Sequence, residues 1–164
     1  GLPASIGACI YNGIYNNKKN KVICLDGDGS IMMNIQELQT IKHYNLPIKV
    51  FILNNDGYIS IKQTQNNFFE GHMVGSSRNS GVSMPDFNKV AKAFGIESVK
   101  ISRYTDDKDL EKQINAVLES EKAIICNVIL EDDYIFIPKL LAKKLDDGTM
   151  VSPSFENMYP FIEI

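Results

Sequence analysis

Three near-continuous apolar runs constrain this chain most: Val22-Ile23-Cys24-Leu25, Ile48-Lys49-Val50-Phe51-Ile52-Leu53 and Ala123-Ile124-Ile125-Cys126-Asn127-Val128-Ile129-Leu130. A strand with one wet face alternates apolar and polar residues, whereas a strand covered on both faces does not. The runs therefore predict buried strands. Between them lie stretches of helical spacing. Strands alternating with helices imply an α/β domain: a three-layer, open, mainly parallel sheet with helices on both faces.

The helices can be placed from the same spacing. Pro3 can open the first, because its missing N–H is not needed there. Ile6, Cys9, Ile10, Gly13 and Ile14 then form one apolar stripe, and a polar turn follows at Asn16-Asn17-Lys18-Lys19-Asn20. A second helix is expected from about Met33 to Tyr44, with Ile35, Leu38 and Ile41 inward, ending before Pro47. Residues from about Gln65 to Ser83, rich in Asn, Gly and Ser, predict a long loop of the kind that is often functional. Ser83-Met84-Pro85-Asp86 resembles a capping box for a helix bearing Phe87, Val90, Ala91 and Phe94 and stopping at Gly95. A short strand at Ser98–Ile101 and a helix carrying Leu110, Ile114, Val117 and Leu118 complete the pattern.

Composition excludes several function classes. The net charge is −3, and Arg78 and Arg103 are the only arginines, so no basic stripe suits a nucleic acid. No apolar run reaches the roughly 18 residues of a membrane span, and the opening residues lack the basic start and cleavage site of a signal peptide. Cys9, Cys24 and Cys126 show no C-x-x-C spacing and sit at apolar positions. They read as reduced, buried thiols, which points to the cytoplasm.

Chemistry gathers where the first two strands end. Asp26-Gly27-Asp28-Gly29-Ser30 follows the first run and Asn54-Asn55-Asp56-Gly57-Tyr58 the second. In an open parallel sheet, ligands bind outside the carboxyl ends of the strands. Asp28 and Asn55 offer hard oxygen ligands, and Gly29 lets the backbone approach a ligand closely. Ser30 falls at a helix start, where N–H groups favour an anion. Such a pair can hold a hydrated divalent cation against a diphosphate. Either half alone would also fit a plain turn. A calcium loop is a rival, since Asp26, Asp28, Ser30 and Glu37 occupy its ligand positions; Ile31 stands where that loop needs glycine, and a strand precedes it instead of a helix. His43 and His72 read as surface residues, and no phosphate loop, nucleophile elbow or H-E-x-x-H zinc motif is present.

Gly-Asp-Gly-Ser, a spacer of about two dozen residues and then Asn-Asn resembles the thiamine diphosphate binding motif. The flanks are similar too: Gly1-Leu2-Pro3-Ala4-Ser5-Ile6-Gly7-Ala8, Glu37-Leu38-Gln39-Thr40, Ser80-Gly81-Val82 with Pro85-Asp86-Phe87, and Asp147-Gly148-Thr149-Met150-Val151-Ser152 before Pro160. They resemble acetolactate-synthase-like members of the thiamine diphosphate enzymes. The resemblance implies Asp28, Asn55 and the Gly57 carbonyl as Mg²⁺ ligands. It implies Gly27, Asp28, Gly29, Ser30, Asn55, Gly57, Tyr58 and Ile59 as the residues that hold the cofactor. It further implies a lyase or transferase that decarboxylates a 2-oxo acid such as pyruvate and transfers the acyl unit, working as a homodimer or homotetramer.

Residues 1–130 then form the diphosphate and metal domain. Residues 131–164, with Tyr134, Phe136, Phe155, Tyr159 and Phe161, form a tail that packs on this domain, on a neighbouring subunit or over an active-site mouth. The partner is a pyrimidine-binding domain of the same protein or of a second subunit, which carries the activating glutamate. The start at Gly1, inside a motif and without Met, is expected of a domain fragment with no turnover of its own. Acetolactate synthases carry a Gln-Trp-Gln-like segment after Asn-Asn; here it reads Ile61-Lys62-Gln63-Thr64-Gln65, closer to the broader acetolactate-synthase-like group. The alternative reading is a non-catalytic magnesium–diphosphate binding or regulatory module.

Overall fold

The apolar runs form β1 (Val22–Gly27), β2 (Ile48–Asn54) and β4 (Ile124–Ile129), and the shorter run forms β3 (Glu97–Ser102). This is a computed structural model, and it describes residues 1–15, 21–102, 104–132, 134 and 137–160. The expected turn at 16–20 lies outside the described residues, as do Arg103, Phe136 and Phe161. The strands pair in the order β1-β2-β4-β3, all parallel. The crossovers are helical: α1 (Leu2–Tyr15) precedes β1, and α2 (Asp28–Met32) and α3 (Glu37–His43) link β1 to β2. After β2 come α4 (Ile59–Phe68) and α5 (Phe87–Ala93), and α6 (Asp107–Glu119) links β3 to β4.

Two cores lie on opposite faces of the sheet. Leu2 and Ile6 of α1, Leu38 and Ile41 of α3, and Phe87 and Ala91 of α5 pack on Cys24, Val50, Ile52 and Ile125. On the other face Leu110, Ile114, Val117 and Leu118 of α6 meet Phe51, Val99, Ile101, Ile124 and Cys126. These are the three layers expected from the alternating pattern. All three thiols are free; Cys24 and Cys126 are buried and Cys9 is half-buried.

Several local expectations shift. β1 is not covered on both faces: Ile23 is 50% and Leu25 67% exposed, because α6 stops short of this end strand. In α1 the inward face is Leu2, Ser5 and Ile6, while Ile10 is 40% exposed. The second helix begins earlier, at Asp28, and breaks over residues 33–36 into turns such as Met33 N–H to Ser30 O and Glu37 N–H to Asn34 O. The cap of α5 is Asp86 rather than Ser83: its carboxylate accepts from the N–H groups of Asn88 and Lys89. Gly95 ends that helix as expected, at φ +66°. Ile59–Phe68 is a helix with no counterpart in the sequence reading, because its only buried residue is Ile59 and no apolar stripe marks it.

The tail forms a short antiparallel pair, β5 (Lys143–Lys144) with β6 (Met150–Val151). Its root is tied to α4, where Lys62 Nζ donates to Asp132 O and Gln63 Nε2 donates to Tyr134 O at 2.8 Å. Farther on, Leu145, Met150, Val151 and Phe155 are exposed in the isolated chain.

Candidate cofactor and metal site

β1 and β2 are adjacent and in parallel register, Gly27 opposite Leu53, so their carboxyl ends bring the two polar clusters together. Asp28 stands at the centre and is 2% exposed. Its Oδ1 accepts the Gly29 N–H at 2.8 Å, and its Oδ2 accepts the N–H of Asn55 at 3.1 Å and of Gly57 at 3.0 Å. One carboxylate thus ties the first cluster to the second across 27 and 29 residues of sequence.

That carboxylate is out of water, and burial pushes its pKa up, opposed by the N–H groups of Gly57, Gly29, Asn55 and Asp56. A carboxylate offers about four lone-pair sites. The three N–H donors leave room for one more partner, and a cation there would offset the buried charge. Asn55 Oδ1 is also buried and has no hydrogen-bond partner. A buried acceptor left unpaired costs about 1–3 kcal/mol, so such an atom calls for a ligand. Two hard oxygens, one anionic and one neutral, are the donor set that suits Mg²⁺ completed by phosphate and water. Among the described residues, no three His, Cys, Asp or Glu side chains come together as a metal cluster. A cation here would depend on amide, carbonyl and ligand oxygens.

The glycines differ in what they provide. At Gly29 an added Cβ would stand 2.2 Å from Tyr58 Cε1, so the Tyr58 ring lies directly on this residue. At Gly57, φ is +154° and a Cβ would stand 2.5 Å from Ser76 O. Gly27 is conformationally ordinary, with φ −76°, and an added Cβ would meet only Ser30 Oγ at 3.8 Å, an ordinary contact, so the fold alone does not require glycine there. Ser30 is exposed at the start of α2, but that helix has only five residues, and a dipole contribution is correspondingly small. Ile59 is buried at the start of α4. Both histidines are exposed, as expected.

The long loop holds the second cluster in place, a contact that sequence spacing does not reveal. Tyr58 N–H donates to Ser76 O at 2.9 Å, and Gly57 bridges to Ser77. Arg78 donates to both Asp56 carboxylate oxygens, at 3.1 and 3.2 Å. Gln65 joins the loop to α4 through Ser76 Oγ and Val74. The segment Ile61-Lys62-Gln63-Thr64-Gln65 thus serves as a brace: Lys62 and Gln63 hold the tail, and Gln65 holds the loop.

The profile of the family described as thiamine pyrophosphate enzyme, C-terminal TPP binding domain, matches residues 1–128. The chain belongs to this family. It is 36% identical over 141 residues to the acetolactate synthase large subunit of Parasynechococcus marenigrum, covering 84% of this chain and 21% of that protein. It is 35% identical over 133 residues to the acetolactate synthase isozyme 2 large subunit of Escherichia coli, covering 80% and 22%. Against acetolactate synthase 2, chloroplastic, of Zea mays it is 33% identical over 145 residues, covering 85% and 21%. The chain therefore spans about a fifth of the length of these relatives. Among solved structures, a Rhodococcus jostii thiamine diphosphate-dependent 4-hydroxybenzoylformate decarboxylase superposes with a TM-score of 0.66 at 24% identity, over 82% of this chain and 23% of that one. This likeness bears on the fold, a thiamine diphosphate-binding α/β domain. Among the described residues no helix is long and apolar enough to cross a membrane.

Proposed function

We propose that this domain holds the diphosphate of thiamine diphosphate through Mg²⁺ bound by Asp28, Asn55 Oδ1 and the Gly57 carbonyl. The observation that carries the reading is the pairing of buried Asp28 with the N–H groups of Asn55 and Gly57, beside the partnerless Asn55 Oδ1. The cofactor, when bound, supplies the nucleophilic carbon and carries the difficult chemistry. The residues of this chain bind and orient. Asp28 contributes the charge that balances the metal, and Asn55 a neutral oxygen and an amide that can donate to phosphate. Gly27 offers the diphosphate its backbone and Ser30 its N–H and hydroxyl, while Gly29 makes room for the Tyr58 ring beside them. Tyr58 and Ile59 wall the site, and Tyr58, seated on Gly29, keeps water from that side.

The reaction we infer is decarboxylation of a 2-oxo acid with transfer of the acyl unit, supported by relatives named acetolactate synthase. Those names favour an enzyme over a non-catalytic module. The partner is a pyrimidine-binding domain of the same protein or of a second subunit, in a homodimer or homotetramer. The exposed apolar tail, with Leu145, Met150, Val151 and Phe155, suits cover over such a neighbour. Free, unbridged cysteines support a reducing compartment, the cytoplasm.

Thermal shift tests this reading, with thiamine diphosphate and Mg²⁺ each alone and together. The expected result is a rise in Tm that needs both and is lost in Asp28→Ala. A rise with Ca²⁺ alone, and none with the pair, would contradict it.

A further inference from the structure

β4 is a central strand, yet it carries an amide in the middle of its apolar run: Asn127 is 4% exposed, opposite Ile52 of β2 and Lys100 of β3. Burying an amide among aliphatic side chains is unfavourable unless both of its ends are satisfied. Here both are. Asn127 Oδ1 accepts from Asn54 Nδ2 at 3.1 Å, and Asn127 Nδ2 donates to Asn88 Oδ1 at 3.1 Å. Asn88, on α5, donates onward to Ser98 Oγ at 3.1 Å. At the other end, Asn54 Oδ1 accepts the Asp56 N–H at 3.1 Å.

The bonds run head to tail, every donor pointing away from the site. This sense fixes the Asn54 amide with its oxygen toward Asp56. The Asn54–Asp56 bond closes an Asx-type turn, which supports the left-handed Asp56 at φ +55°. Asp56 lies between Asn55 and Gly57, so its conformation sets where Asn55 Oδ1 and the Gly57 carbonyl point. We propose that Asn127 is a positioning residue: through Asn54 it fixes the Asn55–Gly57 turn in the geometry that binds the metal, with Asn88 anchoring the far end. The ligand half of this proposal rests on the function proposed above.

The test compares wild type with Asn127→Leu, Asn88→Ala and Ile125→Ala. Ile125 is a buried residue on the same strand and the same face, outside the relay. Two quantities are read: hydrogen exchange of the Asp56 amide in ligand-free protein, and affinity for thiamine diphosphate in the presence of Mg²⁺. Asn127→Leu is expected to speed Asp56 exchange about 3- to 10-fold, the worth of one hydrogen bond. It is expected to weaken cofactor affinity about 10- to 100-fold, as loss of an outer-shell partner does. Asn88→Ala should move both in the same direction and by less, and it serves if Asn127→Leu does not fold. Ile125→Ala should lower Tm and leave both readings unchanged. Unchanged Asp56 exchange in the relay variants, or equal changes in Ile125→Ala, overturns the positioning role. Exchange that responds as expected, in a wild-type protein without Mg²⁺-dependent binding, overturns instead the cofactor reading and the ligand half with it.

Discussion

Replacing Gly57 by alanine should damage stability and binding together, and the structure sets the size. Gly57 has φ +154°, a conformation that costs a residue with a Cβ about 1–3 kcal/mol. The new Cβ would also stand 2.5 Å from Ser76 O and 3.4 Å from Ser77 Cα. The loop must retreat by about half an ångström before that contact reaches even the shortest separation real Cβ atoms adopt. The retreat strains the 2.9 Å bond from Tyr58 N–H to Ser76 O, worth about 0.5–1.5 kcal/mol. Gly57→Ala should therefore cost about 2–4 kcal/mol. Gly75→Ala is the matched control in the same loop: φ is +60°, but nothing lies within 4 Å of an added Cβ. It should cost only the conformational part, about 1–2 kcal/mol. Urea unfolding reads the difference, and Mg²⁺-dependent thiamine diphosphate binding should weaken in Gly57→Ala alone. Equal costs for the two variants, or wild-type binding by Gly57→Ala, would refute the close-approach argument.

Other outcomes follow from the same geometry. Asn55→Ala should remove Mg²⁺-dependent binding as Asp28→Ala does, yet leave ligand-free Tm unchanged or raised, because it removes a buried oxygen that has no partner; calorimetry and thermal melting check this pair. Arg78→Ala should cost no more than about 1 kcal/mol, since its pair with Asp56 is 65% and 45% exposed, and the cost should shrink at high salt in urea titrations. Burial pushes the Cys126 thiol up to about 11 from 9.0, so above pH 9 the unfolded chain loses this proton first. Its contribution is then complete below pH 9 and is lost between about pH 9 and 11, an effect of about 2–3 kcal/mol. Subtracting the pH profile of Cys126→Ala isolates it from other groups, among them the buried Lys49, whose pKa burial lowers. A difference curve that is flat from pH 8 to 11 would contradict that assignment.

The strand ends were legible in the sequence because apolar runs closing on Gly, Asp and Asn leave few other arrangements. Asp28 and Asn55 stood out as hard oxygens at the ends of two apolar runs, and Gly57 was added by the family resemblance alone; that the two runs are neighbours, which brings their ends side by side, is a fact of the structure. What stayed hidden depends on contacts without a local pattern. The Tyr58 ring on Gly29 and the Ser76 carbonyl against Gly57 are packing events set by how the loop returns. α4 was missed because a helix braced by Lys62, Gln63 and Gln65 through side-chain bonds needs no apolar stripe. The bare face of β1 was missed because an end strand half-covered by helices has the same composition as a central one. Asn127, a lone amide in an aliphatic run, was visible in the sequence, and only its partners give it meaning.

A crystal structure with thiamine diphosphate and Mg²⁺ tests the central claim most directly. The expected result is one octahedral metal about 2.0–2.1 Å from an Asp28 carboxylate oxygen, Asn55 Oδ1 and the Gly57 carbonyl, with diphosphate oxygens and water completing the shell. A metal bound away from these three residues, or a diphosphate seated elsewhere on the sheet, would contradict it.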